Sequence, residues 1–198
     1  MPSYRITALL GLAGVGAFAS ALLLFSFLNP NFHPTQDYVS KLGALGQPFA
    51  VWWNVVGFGL VGLMLAAFGW VYGKLVRDRL IGFLLALFGL GFAATAIPID
   101  LGSADAAVSK AHVVAICLGL AGWCFGLARL ASLTALSKSV RRSAKLAATL
   151  VVAPMVGQAL ELWPMPVTHR LVFAVVFGWF ALTSITLLRS GGQTQAVA

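Results

Sequence analysis

The 198-residue chain is 60% hydrophobic and only 9% charged, with a mean hydropathy of +0.94. A soluble globule devotes roughly a quarter of its residues to charge, so that class is excluded. The net charge of +8 does not mark a nucleic-acid surface either, because the basic stretch "SKSVRRSAK" has no interleaved aromatics and most cations sit at the ends of apolar runs.

Six apolar runs are long enough to span hydrocarbon, which takes roughly 20 helical residues. They cover about 6–28, 49–72, 80–98, 111–133, 145–163 and 168–188. Backbone amides in lipid must be satisfied internally, so each run is a helix or a barrel strand. The runs are too long and too uniformly apolar for barrel strands of about 10 alternating residues. The expected fold is all-α: one integral membrane domain over 1–198, a polytopic bundle of six transmembrane helices with a flexible tail at 190–198.

The first run follows Arg5 and contains a small-x-small triplet, Ala17-Phe18-Ala19, as a secretory signal would. More apolar sequence follows the triplet, and the run exceeds a normal signal core, so it reads as a retained helix.

Between the first two runs lies "NPNFHPTQDYVSKLGALGQP". Pro30 and Pro34 disfavour a helix until after Pro34. Thr35 then suits an N-cap, Asp37 the first turn, and Gly43 or Gly46 the terminator. Tyr38, Leu42 and Leu45 share one helical face, which predicts a short interfacial helix in this loop. Asp37 and Lys41 form an i,i+4 pair on it. The segment is either a solvated loop helix or a lid over a pocket.

In the second run Trp52 and Trp53 suit an interfacial belt, and Asn54 lies below them as a hydrogen-bonding residue. Gly57, Gly59 and Gly62 permit close helix approach. Pro98 ends the third run and leaves Asp100 just beyond it, where a carboxylate needs a partner or water. The fourth run opens with Asp105 and Lys110 near the surface and His112 in its first turns. Cys117 and Cys124, seven apart on one helix, stand about 10 Å from each other and cannot bond. The fifth run carries Pro154 and closes with Gln158, Glu161 and Trp163; the sixth begins with Thr168 as cap, then His169 and Arg170. Glu161 and Arg170 are placed to pair across the short turn.

Ten of the thirteen cations fall on one side: Arg5, Lys74, Arg77, Arg79, Arg129, Lys138, Arg141, Arg142, Lys145 and Arg189. Only Lys41, Lys110 and Arg170 fall on the other. The positive-inside bias therefore predicts a multi-pass cell-membrane protein with both termini cytoplasmic. Four of five acids, Asp37, Asp100, Asp105 and Glu161, and all three histidines then face outward.

Three stretches carry a resemblance: "DYVSKLGALGQPFAVWWNVVGFGLVGLML", "AIPIDLG" followed by "KAHVVAICLGLAGW", and "HRLVFAVVFGWFAL". Together they resemble the prokaryotic six-helix membrane family catalogued as domain of unknown function 998. The matching positions are Ser40, Leu42, Gly43, Asn54, Pro98, Asp100, His112, Arg170 and Trp179. Where many relatives have Glu before the last-helix Arg, this chain has His169, so a carboxylate role there would pass to Glu161. The resemblance implies the fold and a polar outer pocket, and it implies no activity. A looser likeness, in residue types alone, is to seven-helix metal-dependent hydrolases such as alkaline ceramidases. Ser40, Asp100, His33, His112 and His169 supply the types, but His-x-x-x-His and one helix are missing.

Three functions compete. The first is a binding protein whose outer pocket takes a lipid headgroup or small polar molecule, with Asp37, Ser40, Asn54, Glu161 and Arg170 as ligand contacts beside Asp100 and His112. The second is a lipid hydrolase, with zinc on His33, His112 and His169, and Asp100 and His112 catalytic. Bound haem between His112 and His169 is an alternative cofactor to zinc. The third is a small-molecule transporter, against which "VVAICLGLAGWCFG" offers no polar track below His112. The expected partners are membrane lipids and, in a homo-oligomer, further copies of the chain; nucleic acid is not one.

Overall fold

The structure, a computed structural model, describes residues 4–103 and 105–195, with side chains described through Arg189. It is helical throughout, with no strand among the described residues. In chain order the helices are α1 (Tyr4–Leu28), α2 (Ala50–Leu75), α3 (Arg79–Ala94), α4 (Ala107–Ser132), α5 (Lys138–Leu150), α6 (Val152–Ala159) and α7 (Met165–Gln195). Four of them, α1, α2, α4 and the Met165–Arg189 part of α7, are long and apolar enough to cross a membrane. The fifth apolar helix, α3, has only 16 residues.

Several boundaries differ from the sequence expectation, each for a local reason. The fifth element starts at Lys138, not near 145, because Ser137 caps it by accepting the Val140 amide at 3.3 Å. Its first turns are basic and amphipathic, so a search for apolar runs passes over them. Pro154 then splits the element into α5 and α6. Proline has no amide to donate to the carbonyl four residues back, at Leu150, and the helix is interrupted there. The last helix starts at Met165, so Thr168 lies inside it and is no cap. The flexible tail expected at 190–198 is helical through Gln195, and 196–198 lie outside the described residues.

The short helix expected in the first loop is shorter than predicted and 3-10 rather than α. The loop holds a 3-10 turn at Val39–Gly43, with Tyr38 rather than Thr35 at its N-terminal edge. Of the supposed apolar face only Leu42 is buried, while Tyr38 and Leu45 are exposed.

Close approach sets the order of packing. Gly62 and Gly69 of α2 lie on the α3 backbone, and Gly89 of α3 lies on that of α2. A Cβ at Gly69 would sit 2.6 Å from the Ala86 nitrogen, so this hairpin tolerates no side chain on its seam. In turn, α3 meets α4 through Gly91 and Gly119. In lipid such contacts act through van der Waals packing, since the solvent is as apolar as the side chains.

Aromatic rings fill the centre. Phe18 of α1 stacks on Phe177 of α7 at 4.4 Å and meets Phe92 of α3 edge-on at 5.6 Å. Below them Phe68, Tyr72, Trp123, Trp179 and Phe180 continue the column, all buried. Each such pair adds about 0.5–1.5 kcal/mol beyond its buried area. One irregularity stands above this plug: residues Asn54–Leu60 of α2 form a π-helical segment. Bulges of that kind gather at functional sites, and this one sits where α2 meets the first loop.

Candidate functional site at the loop end of the bundle

The loop between α1 and α2 is tied down at both ends and in its middle. Asn29 donates to the Phe25 carbonyl at 2.7 Å, ending α1. Asp37 and His33 exchange two bonds: the Asp37 carboxylate accepts the His33 amide at 2.7 Å, and the His33 carbonyl accepts the Asp37 amide at 2.8 Å. Lys41 donates to the same carboxylate at 2.8 Å and to the Asn31 carbonyl at 3.0 Å. The expected Asp37–Lys41 pair is therefore present, and its work is to close a turn.

Burial pushes the Asp37 carboxyl up, but the His33 amide and Lys41 outweigh it and hold the group below its ordinary value. Its carboxylate stays ionised and occupied within the loop.

Arg170, half-buried on α7, reaches across to this loop. Its Nη1 donates to the Asp37 carbonyl at 2.8 Å and to the Pro166 carbonyl at 2.9 Å, and its guanidinium lies 5.8 Å from the Phe32 ring centre. The predicted ion pair with Glu161 is not formed. Glu161 is exposed with φ 58°, and it terminates α6: its amide donates to the Gln158 carbonyl and that of Leu162 to the Gly157 carbonyl, both at 2.9 Å. That pattern is a left-handed helix terminus in which Glu161 holds the position glycine usually takes.

At the other edge of the loop, Asn54 Nδ2 donates to the Gly43 carbonyl at 2.9 Å, and the Leu45 amide donates to the Ile99 carbonyl at 2.9 Å. The Asn54 amide lies so close to Gly43 that a Cβ there would collide with it and with the Trp53 ring. Hydrogen bonding is thus the role Asn54 plays, with a loop rather than a neighbouring helix as partner. Val39, Leu42 and Ala44 point inward and are buried. Ser40 is half-buried in the same 3-10 turn.

The Pro98/Asp100/His112 segment folds on itself. Asp100 Oδ1 accepts the Gly102 amide at 2.8 Å, and the Asp100 amide donates to Ser109 Oγ at 3.0 Å. His112, buried on α4 against the Phe58 ring, places Nδ1 2.9 Å from the Ile97 carbonyl. A carbonyl only accepts, so Nδ1 carries a proton. No bond joins Asp100 to His112.

The three histidines do not converge as a zinc site requires. His33 is exposed in the loop, His112 is buried beside Phe58, and His169 is exposed with its ring 5.1 Å from Tyr38. Among the described residues no group of three His, Cys, Asp or Glu stands together as ligands of one ion.

Beside the loop is a cavity of about 650 Å³. The Gly43–Gln47 turn, Phe49, the start of α2 at Ala50–Trp52 with Asn54 and Val55, and Ala96 and Pro98 beyond α3 line it. Of the sequence-predicted ligand contacts only Asn54 reaches it; Asp37, Ser40, Glu161 and Arg170 do not. Asp37 and Arg170 instead hold the loop that walls it. Asn54 Oδ1, Trp53 Nε1 and Arg170 Nη2 are buried without a hydrogen-bond partner, so this end of the bundle keeps unspent polarity.

A further polar tie lies at the opposite end of the bundle. Asp78 caps α3 by accepting the Ile81 amide at 2.9 Å and receives Arg129 of α4, Nη2 to Oδ2, at 2.7 Å. Arg129 holds the Asp78 carboxyl below its ordinary value, with the Ile81 amide adding to the effect. An aspartate directly before an apolar helix is a readable cap signal; its distant arginine is not. No protein-family model, curated protein or solved structure matches the chain.

Proposed function

We propose that this is an integral membrane protein crossing six times, with both termini cytoplasmic, whose outward cavity binds a lipid headgroup or a small polar ligand. Four crossings would be α1, α2, α4 and α7; α3 with its following turn and the α5–α6 unit supply the other two. The charge distribution supports the orientation, since ten of thirteen cations lie at the end opposite the loop. The resemblance to domain of unknown function 998 belongs to the same proposal. Three positions of its pattern, Gly43, Asn54 and Pro98, line the cavity, and Arg170 fastens its loop.

The cavity itself carries the reading. Its rim has exposed apolar groups, Leu45, Phe49, Val51 and Trp52, beside the polar side chains Gln47 and Asn54. A headgroup at the junction of water and hydrocarbon needs that mixture. Transport gains no support, because closely packed aromatic rings fill the centre of the bundle beneath the loop. Zinc-dependent hydrolysis gains none either, because the histidines are dispersed.

The test is retention of small molecules and lipids by the purified protein, read by native mass spectrometry. Wild type should carry a bound species that Ala50→Trp, which fills the cavity, excludes. A species retained equally by that variant, or none at all, contradicts the assignment.

A further inference from the structure

A second groove, of about 750 Å³, lies between α4 and the α5–α6 unit, away from the loop cavity. Ala128 and Ala131 form one wall, and Ala148, Val152 and Val156 the other. Lys145 and Thr149, one turn apart, line one end, and Leu160, Leu162 and Trp163 the other. From Lys145 to Leu160 the wall rises about 22 Å, enough for an acyl chain lying along half of a bilayer whose core is about 30 Å.

The charge around Lys145 is unbalanced. Asp78 is the one carboxylate side chain among the ten cations at this end, and Arg129 already occupies it. Lys138, Arg141, Arg142 and Lys145 have no carboxylate partner among the described residues. Arg141 and Arg142 precede Lys145 by four and three residues, which puts all three on neighbouring helical positions. Arg141 Nε is moreover buried with no hydrogen-bond partner. The fold thus sets a cationic cluster without a counter-ion at the mouth of an apolar trough.

We propose that this groove binds one anionic glycerophospholipid, with an acyl chain along the alanine walls and the phosphate on Lys145 and its neighbouring arginines. The site is separate from the loop cavity, and its cationic end lies in the opposite leaflet. It supplies the anion that α5 lacks, and its apolar length is the part a free phosphate could not use.

The test loads delipidated, detergent-purified protein with phosphatidylglycerol or phosphatidylcholine of identical acyl chains and counts retained lipids by native mass spectrometry. Wild type should retain phosphatidylglycerol over phosphatidylcholine, with each cation contributing about five-fold. Arg142→Gln with Lys145→Gln should lower phosphatidylglycerol retention by about 25-fold relative to phosphatidylcholine. Ala153→Phe, an exposed groove position that tolerates a larger side chain, should exclude both lipids. Ala50→Trp should leave phosphatidylglycerol retention unchanged, which separates this site from the loop cavity. Equal retention of the two lipids by wild type would mean annular lipid only and overturn the proposal. So would retention unaffected by the charge and groove variants, or a lipid-free dimer that cross-links through position 153.

Discussion

At single positions, charged residues here serve to hold backbone. Glu161 sits at φ 58° to terminate α6, and Arg77 does the same for α2 at φ 56°, with the Asp78 amide on the Gly73 carbonyl. A left-handed conformation costs an L-residue about 1–2 kcal/mol that glycine avoids. Glu161→Gly should therefore raise thermal stability by about 1 kcal/mol, and Glu161→Val should lower it; a loss on Glu161→Gly would restore a side-chain role to this residue. Asp78 and Asp37 both have carboxyls held below the ordinary value of about 3.9. A depressed folded value means the stabilisation is complete above the unfolded value and disappears as pH falls through the lower folded one. Thermal melts of Asp78→Asn, which keeps a capping side chain but loses the charge, should lie below wild type at neutral pH and converge with it in strong acid. Parallel curves at all pH values would mean that Arg129 does not depend on that charge.

Among the elements, the α2–α3 hairpin and the first loop show opposite degrees of dependence on side chains. Gly89→Ala should cost about 1–3 kcal/mol by driving a Cβ into the Ala66 backbone, whereas Gly16→Ala, with open space around it, should stabilise α1 by up to about 1 kcal/mol. Denaturation of the two variants in one detergent compares them directly. The loop depends on Arg170, since hydrogen bonds from charged donors contribute about 1.5–3 kcal/mol each. Arg170→Met should accelerate amide exchange across Val39–Ala44 by about ten-fold or more while leaving the α2–α3 hairpin protected; uniform acceleration would mean global loosening instead. The apolar runs made the long helices legible, because uniform hydropathy over some 20 residues admits little else. The start of α5 was not legible, because Lys138, Arg141, Arg142 and Lys145 give it an amphipathic face rather than an apolar run. The loop misled for a different reason. Asp37 fits a helix N-terminus by sequence, yet its carboxylate closes a turn on His33 and Lys41, and the 3-10 turn begins only at Val39. Much of the site's wiring uses main-chain carbonyls, of Asp37, Gly43, Ile97 and Ile99, as acceptors. Carbonyls belong to every residue and leave no signature in a sequence, so sequence alone pairs Arg170 with Glu161, the nearest acid.

At the scale of the whole molecule, a closed aromatic centre separates two unlike ends. One has a loop fastened beside a cavity with unspent polar groups. The other has ten cations, one carboxylate side chain and an apolar groove that reaches Lys145. Both ligand assignments follow from placing those ends in opposite leaflets, which the sidedness of single exposed cysteines reads most directly. In a background with Cys117 and Cys124 replaced by alanine, Thr35→Cys should react with a membrane-impermeant maleimide on intact cells, and Lys138→Cys only after permeabilisation. Labelling of both positions from the same side, or of position 138 from outside, would contradict the account.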